Sequence, residues 1–474
     1  QLRFTGFVAE PVWDAVSRVL TVTATDNLQE RVESMSISEI DNLIGGEWSE
    51  HVFGELEGKS HWDYAQERLS TTLKTLDCSV AGQLRVTDLE VFAETYRFDS
   101  GTIVHDSLRL DLPRSKTVTN RYEIASSYRF PRLRQADYRY YWLHSYTNGS
   151  EGMNGFCEWR KNSTELPSQD MVLSATEAAG LTVTQARWVS LPMSDPDPCG
   201  TGAPWINRFP DLLLGAEWLA SRRWTQYMTE EYDLVVTTRF AEDNPAQRVI
   251  NRSSISFDHD TDLARDWSSS LVPVEADGRA VEQNYEPEDN SDNSARDLML
   301  KVKLMQAQCE IIKAHRASRV SFDVVSCFAK GIDITNRISV NDYGVKASGK
   351  CFSRTDVMDI DTGSCITTLT IALLRGSGSA TSSVTVPPVL HSKYEPEQPI
   401  DGDLLYTQIA GDTEYDEELD GFSGNRSISM AQDPFPRRMQ ISSPELSEDE
   451  QNESIANGTA THYVEFIEDE LIIQ

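Results

Sequence analysis

Two triplets carry the residue types for acid hydrolysis, Asp99-Ser-Gly-Thr102 and Asp361-Thr-Gly-Ser364. Aspartic proteases hold two such loops together so that two carboxylates share one proton and activate a water. That chemistry needs each triplet to follow an apolar strand and to sit among hydrophobic side chains. Here Asp361 follows Asp359-Ile360 and Asp99 follows Tyr96-Arg-Phe98. Asp-x-Gly is also a hairpin-turn signal, so turns are the expectation at both places. A catalytic dyad is the alternative, and it requires Asp99 and Asp361 to meet.

Other candidates fall away in the same manner. Asp258-His-Asp-Thr-Asp262 sets oxygen ligands at alternate positions, as a calcium loop does. Leu263 stands where that loop needs glycine, however, and Ser269 where it needs a bidentate glutamate, so an acidic loop is expected. The eight histidines show no ligand spacing, and His315 falls at the end of a helical pattern, where a cation suits the helix dipole. The seven cysteines (Cys78, Cys157, Cys199, Cys309, Cys327, Cys351, Cys365) are odd in number with no C-x-x-C, which fits reduced thiols. Gly376-Ser-Gly-Ser379 lacks the strand–turn–helix context of a nucleophile elbow or phosphate loop and reads as a linker. Sequons at Asn148, Asn162, Asn251, Asn425, Asn452 and Asn457 are expected chance matches in Ser/Thr-rich loops. Aromatics cluster at Tyr138-Arg-Tyr-Tyr-Trp142 and from Trp218 to Tyr227. They are expected in a core or subunit interface, with an exposed carbohydrate-binding groove as the alternative. No catalytic, cofactor-binding or metal-binding residue is assigned, and an enzyme is not expected.

The elements that would carry these residues are mostly strands. Leu2 to Trp13 and Arg18 to Asp26 read as a hairpin. Ser60-x-x-Asp63 opens a helix running to about Thr72, followed by short strands Thr75 to Val80 and Leu84 to Leu89. Alternation resumes at Thr102 to Leu112 and Thr117 to Phe130. Residues 144–225 form an irregular insertion with one helix, Ser168 to Ala179, stopped by Gly180. Strands return at Tyr232 to Phe240 and Arg252 to Phe257. The strongest helix is capped by Ser294-x-x-Asp297 and shows Leu298, Val302, Met305, Cys309 and Ile312 on one face. Four strands follow: Arg319 to Phe328, Ile334 to Asp342, Lys346 to Met358, and Ser364 to Leu374. Such a series predicts a mainly β (α+β) protein, antiparallel barrels carrying a packed helix, with a small α/β insertion besides the irregular one. Gly376 to Ser383 then leads, as a flexible linker, into an acidic C-terminal region.

The chain of 474 residues has a net charge of −32. Of this, −17 falls between Tyr394 and Gln474, where 20 acidic residues face three arginines. A solvated acidic tail is the expectation there. The balance argues against a nucleic-acid-binding stripe. No apolar run reaches the roughly 18 residues that span a bilayer, and no signal-peptide pattern opens the sequence.

Five segments, taken in order, resemble the central tail hub (baseplate hub) proteins of long-tailed bacteriophages. They are Phe4-Thr-Gly-Phe-Val8 with Leu20-Thr-Val-Thr-Ala-Thr-Asp26; Trp62 to Leu89 with Ala81-Gly82-x-Leu-Arg-Val86; Thr119-Asn-Arg121 leading to Tyr128-Arg-Phe130; Glu230-Glu-Tyr232 followed by a strand and Trp267; and the long helix ending in Ala314-His-Arg316 with the late hairpins. The resemblance covers most of residues 1–375. It implies that 1–34 closes a first tube-like barrel, most of which precedes the sequence, and that 35–98 is a small α+β hub domain. It further implies a second tube-like barrel over 99–392, interrupted at about 144–225, with 393–474 as an acidic extension matching nothing in the family. The implied protein is a homotrimer whose six barrels adapt a six-fold tail tube to a three-fold spike or fibre. Implied partners are distal tail or tube ring proteins, the tape-measure protein and a spike or central fibre protein. DNA would pass an acidic lumen without specific binding, and no cofactor is implied. Localisation is expected at the virion tail tip, after synthesis in the bacterial host cytoplasm, with no stable membrane insertion. Tyr463 to Ile467 and Leu471 to Ile473 are expected to add strands to a neighbour's sheet.

Overall fold

The structure, a computed structural model, describes residues 4–91, 93–113, 118–143, 167–190, 194–195, 205–206, 211–260, 288–376, 378, 380–403, 416, 418–423 and 438–474. Strands β1 (Phe7–Asp14) and β2 (Val19–Thr25) form the expected antiparallel hairpin, turned where Asp14 accepts from the Val16 N–H and the Ser17 hydroxyl. Every residue of both strands is exposed, and neither pairs with another described strand. Next comes a helical unit of α1 (Leu28–Glu33), α2 (Ile37–Ile44), α3 (Glu50–Phe53) and α4 (His61–Ser70), closed by the hairpin β3 (Lys74–Cys78) and β4 (Leu84–Asp88). Its core is Val32, Ile40, Ile44, Tyr64, Ala65 and Leu69. Ser60 caps α4 as its spacing predicts, by accepting the Asp63 N–H. Helix α2 starts on a full capping box between Ser36 and Glu39.

The late strands belong to a seven-stranded sheet. Its order is β5 (Glu94–Asp99), β14 (Arg337–Asp342), β15 (Val345–Asp359), β16 (Ser364–Leu373), β13 (Ser318–Val325) and β6 (Arg109–Asp111), with β21 (Glu470–Ile473) added to β15. The strands expected at 319–374 are all present. The strand expected from Thr102 to Leu112 is not: β6 covers only its end, and Ile103 makes an isolated bridge to Val324.

The second sheet is built on two long strands, β7 (Arg121–Leu143) and β11 (Leu213–Thr237), paired along their length. At one end they are flanked by β12 (Ile250–Asp258) and β20 (Ser454–Tyr463), at the other by β8 (Thr182–Ser190) and β17 (Ile400–Asp403). The expected 144–225 insertion is therefore continuous with the sheet, since β11 begins inside it. Helix α5 (Gln169–Ala178), capped by Ser168, backs that far end around Tyr138, Tyr140, Val172, Leu213 and Trp218. The described residues also hold the two-stranded pairs β9 (Ser194–Asp195) with β10 (Trp205–Ile206) and β18 (Gly421–Ser423) with β19 (Arg438–Gln440), and the short helices α6 (Arg239–Asp243) and α8 (Glu448–Gln451); α7 is the long helix Asn293–Ala314.

Asp292, not Ser294, caps α7, accepting the Ala295 N–H at 2.9 Å. The helix buries Met299, Leu300, Leu304, Ala307 and Ile311 besides the expected Val302, Cys309 and Ile312. A one-faced stripe is too narrow because β7 and β11 cover one side while α3 and α4 cover another. The expected antiparallel barrels become two mixed sheets: β12–β7, β11–β20, β14–β5 and β17–β7 are parallel, and neither strand order closes on itself among the described residues.

Two expectations for the later residues are also corrected. Gly376 to Ser383 is packed where described: a Cβ on Gly376 would lie 1.9 Å from the Phe466 ring, and Ser382 bonds Glu465 and Gln308. The acidic region is not wholly a solvated tail either. Val464 and Phe466 are buried in the α7 core, and β20 and β21 pair with β11 and β15 of the same chain. No described helix is long and apolar enough to cross a membrane.

Candidate functional surface

Along β7, β11, β12 and β20 alternate residues face opposite ways. Tyr122, Ile124, Tyr128, Phe130, Leu234 and Val236 pack onto α7. Their neighbours, among them Ala125, Ser127, Asp233, Ser254, Ser256 and Thr459, face away from it. The four strands curl, so that Ser254 and Ser256 of one edge and Asn457 and Thr459 of the other wall a common hollow of about 540 Å³. Small side chains permit this curvature; on the opposite, α7-facing side Gly458 makes room for the Tyr232 ring, which a Cβ there would approach to 2.6 Å.

The charge of this concave face is sorted. Arg121 and Arg252 both pair with Glu123, at 3.0 and 2.9 Å, and Arg129 pairs with Asp258 and Glu453, each at 3.2 Å. Glu231 and Asp233 line the hollow with no described cation in ion-pair contact. The surface therefore offers neutralised arginines, small hydroxyls and two uncompensated carboxylates. The two unpaired carboxylates make it a net-negative surface, unfavourable to phosphate.

Beneath it, on the α7 side, Glu230 and Arg296 form a salt bridge of 3.1 Å with both side chains 1% exposed. Glu230 Oε1 accepts the Leu390 and His391 N–H groups at 2.7 and 3.2 Å. Arg296 donates to the Pro387 and Pro388 carbonyls, each at 2.9 Å, and the Tyr232 hydroxyl donates to Pro388. Burial works to raise the Glu230 carboxyl. The His391 and Leu390 hydrogen bonds and the Arg296 charge outweigh it and hold the group below the ordinary glutamate range. These contacts fix the curled strand β11 to α7 and to residues 387–391.

The structure separates the sequence-nominated chemistry. Asp99 ends β5, opposite Asn341, and Asn341 pairs with Lys346 on β15. Asp361 lies in the turn beyond Asp359, the far end of β15. The 13 residue-to-residue steps from Lys346 to Asp359 span about 43 Å of strand, so the two carboxylates cannot share a proton. Gly363 takes φ 68° in that turn, and Asp359 accepts from the Thr362 hydroxyl. Of the acidic run 258–262, residues 261 and 262 lie outside the described residues, as do Leu263 and Ser269; among the described residues no three metal-ligating side chains converge.

Tyr138, Tyr140 and Trp218 are buried, Tyr140 stacking on Trp218 at 5.4 Å, so these rings form no open groove. Trp142's side chain, Trp267, Cys157, Cys199, Asn148, Asn162 and Asn425 lie outside the described residues. Cys78, Cys309, Cys327, Cys351 and Cys365 are free thiols. Asn251 donates its amide to the Tyr122 hydroxyl, and Asn457 stands in the hollow. His315 caps α7, but burial lowers its pKa, so it is not the expected cation; Nδ1 bonds the Arg375 carbonyl at 3.0 Å.

The concave face itself could not be located from sequence, because its signal is an alternation of small polar residues with core residues on strands far apart in the chain. No protein-family model matches the chain. No curated protein matches it.

Proposed function

We propose that the chain is a structural hub of a phage tail tip or baseplate, a homotrimer that adapts the tail tube to a spike or fibre and lines the DNA exit channel. The observation that carries this reading is the curled β12–β7–β11–β20 sheet, with a small-residue acidic concave face and two edges unpaired among the described residues. Strand β12 runs with β7 and β20 with β11, while β7 and β11 are antiparallel. The outer edges therefore run in opposite directions. Copies placed edge to edge would join by antiparallel pairing, a head-to-tail contact that closes into a ring when its rotation is one third of a turn. The ordered resemblance of the five segments supports the same reading. Polyanion passage needs a repelling wall, and Glu231 and Asp233 supply it.

In this reading the chain performs positioning and no catalysis. Its partners are tube ring proteins and the tape-measure protein on one side and a spike or fibre on the other, at the virion tail tip after synthesis in the host cytoplasm. Light scattering at two concentrations tests it. A stable mass of three times 53.3 kDa is expected. A concentration-independent monomer, in this chain and in one extended at its N-terminus, overturns it.

A further inference from the structure

Five cations of this acidic chain line one cleft. Lys74 on β3, Lys313 at the end of α7, Arg316 just beyond it, Arg319 on β13 and Lys350 on β15 border a half-open hollow of about 700 Å³. It lies between the helical unit and the seven-stranded sheet, and among the described residues no aspartate or glutamate lines it. None of the five has a carboxylate partner in a salt bridge among the described residues.

The lysines bond main chain instead: Lys74 Nζ donates to Ile44 O and Lys313 Nζ to Leu69 O, both at 3.1 Å, and Lys350 Nζ to Asp88 O at 2.5 Å. Arg316 Nε is buried with no partner, and the Arg319 guanidinium stacks on Phe352 at 4.2 Å. Burial lowers the pKa of Lys313, Arg316 and Lys350, and the Arg316 charge lowers Lys350 further, against the smaller opposing charges of Glu310 on Lys313, Asp469 and Glu90 on Arg316, and Asp77 and Asp88 on Lys350. Carbonyls at the end of α7 account for Lys313 and Arg316. They account for none of Lys74, Arg319 and Lys350, which arrive on three other strands. Burial costs Lys313, Arg316 and Lys350 desolvation, and Arg316 repels Lys350; Glu90, Asp469, Asp77, Asp88 and Glu310 offset part of this from outside the lining, and an anion in the cleft adds attraction at close range. Leu69, Leu76, Ile334 and Phe352 supply an apolar wall, and the volume is that of a small-ligand pocket.

We propose that this cleft binds a small phosphorylated molecule of the nucleotide class, its phosphates among the five cations and its base on the apolar wall. The site is separate from the concave face, and the proposal stands or falls independently of trimer formation.

Calorimetric titration of the full chain with ATP, pyrophosphate and adenosine tests it. ATP is expected to bind once per chain and to compete with pyrophosphate, with adenosine much weaker. Lys74→Gln and Arg319→Gln are each expected to weaken ATP about tenfold, the order of one charge-assisted contact. A readout free of variants is acetylation of Lys74 and Lys313, mapped by mass spectrometry, which ATP is expected to slow. Absence of saturable binding by both ATP and pyrophosphate overturns the proposal. So do adenosine binding as tightly as ATP, unchanged affinity in both folded variants, or a glutamate-rich peptide that binds where neither phosphate compound does.

Discussion

At the scale of single residues, Glu230 and Arg296 are the most exacting pair in the molecule. Each is buried at 1% exposure, so losing Arg296 leaves Glu230 a buried charge in a medium that penalises it, while losing Glu230 leaves Arg296 paired with the half-exposed Asp297 at 2.6 Å. Arg296→Met or Glu230→Gln alone is expected to cost about 3–5 kcal/mol in urea unfolding at pH 7. The double variant Glu230→Leu/Arg296→Met is expected to cost less than the sum of its parts.

Protonation tells the same story. The Glu230 pKa is depressed in the fold, so its contribution is present above the unfolded value of about 4.3 and lost as pH falls through the folded one. Burial also depresses His315 and His462. Below about pH 6.5 the unfolded chain takes up protons that these buried rings refuse, so their share of stability declines as pH falls. Urea midpoints are expected to drop between pH 6.5 and 5, and His315→Gln to flatten that slope. None of this was legible in the sequence. Residues 230 and 296 are far apart along the chain, and His315 reads as a helix-end cation until Phe466, 5.3 Å from its ring, is seen to cover it. The five cleft cations, spread from Lys74 to Lys350, give no local signal either.

At the scale of elements, local chemistry spoke clearly and long-range pairing did not. Ser60 and Ser168 announced α4 and α5 because an N-cap is written within four residues. Gly180, at φ 76°, ended α5 as its left-handed conformation allows. The length of β7 was hidden because Phe130-Pro-Arg-Leu133 is buried without alternation. Strand β20 was hidden because Ala456, Gly458 and Ala460 face the core with almost no hydrophobic contrast. Its role follows from Val464 and Phe466, which anchor the arm joining β20 to β21. Phe466→Ala is expected to destabilise the protein by about 3–5 kcal/mol in chemical denaturation. Gly376→Ala is expected to destabilise it too, because its new methyl would fall on the same ring.

At the scale of the whole molecule, the charge of −32 becomes informative only once it is placed. On the concave face the arginines are matched by carboxylates while Glu231 and Asp233 are not. Filter binding is expected to show no DNA retention by the native chain at 0.1 M salt. The double variant Glu231→Lys/Asp233→Lys is expected to gain weak retention that falls steeply with added salt. Retention by the native chain, or none by the folded variant, would count against a repelling wall.

The C-terminal arm also has a consequence for biosynthesis. Strands β7, β11 and β12 are all made by residue 258, yet β20, the edge that completes their sheet, begins at Ser454. The intervening 195 residues take about 10–40 s to translate at ordinary rates. During that interval the β11 edge is open to any neighbouring nascent chain on the same message. A slow late stretch of translation would lengthen this exposure, and a premature stop anywhere before Ser454 would make it permanent. The arm thus divides finished chains from unfinished ones.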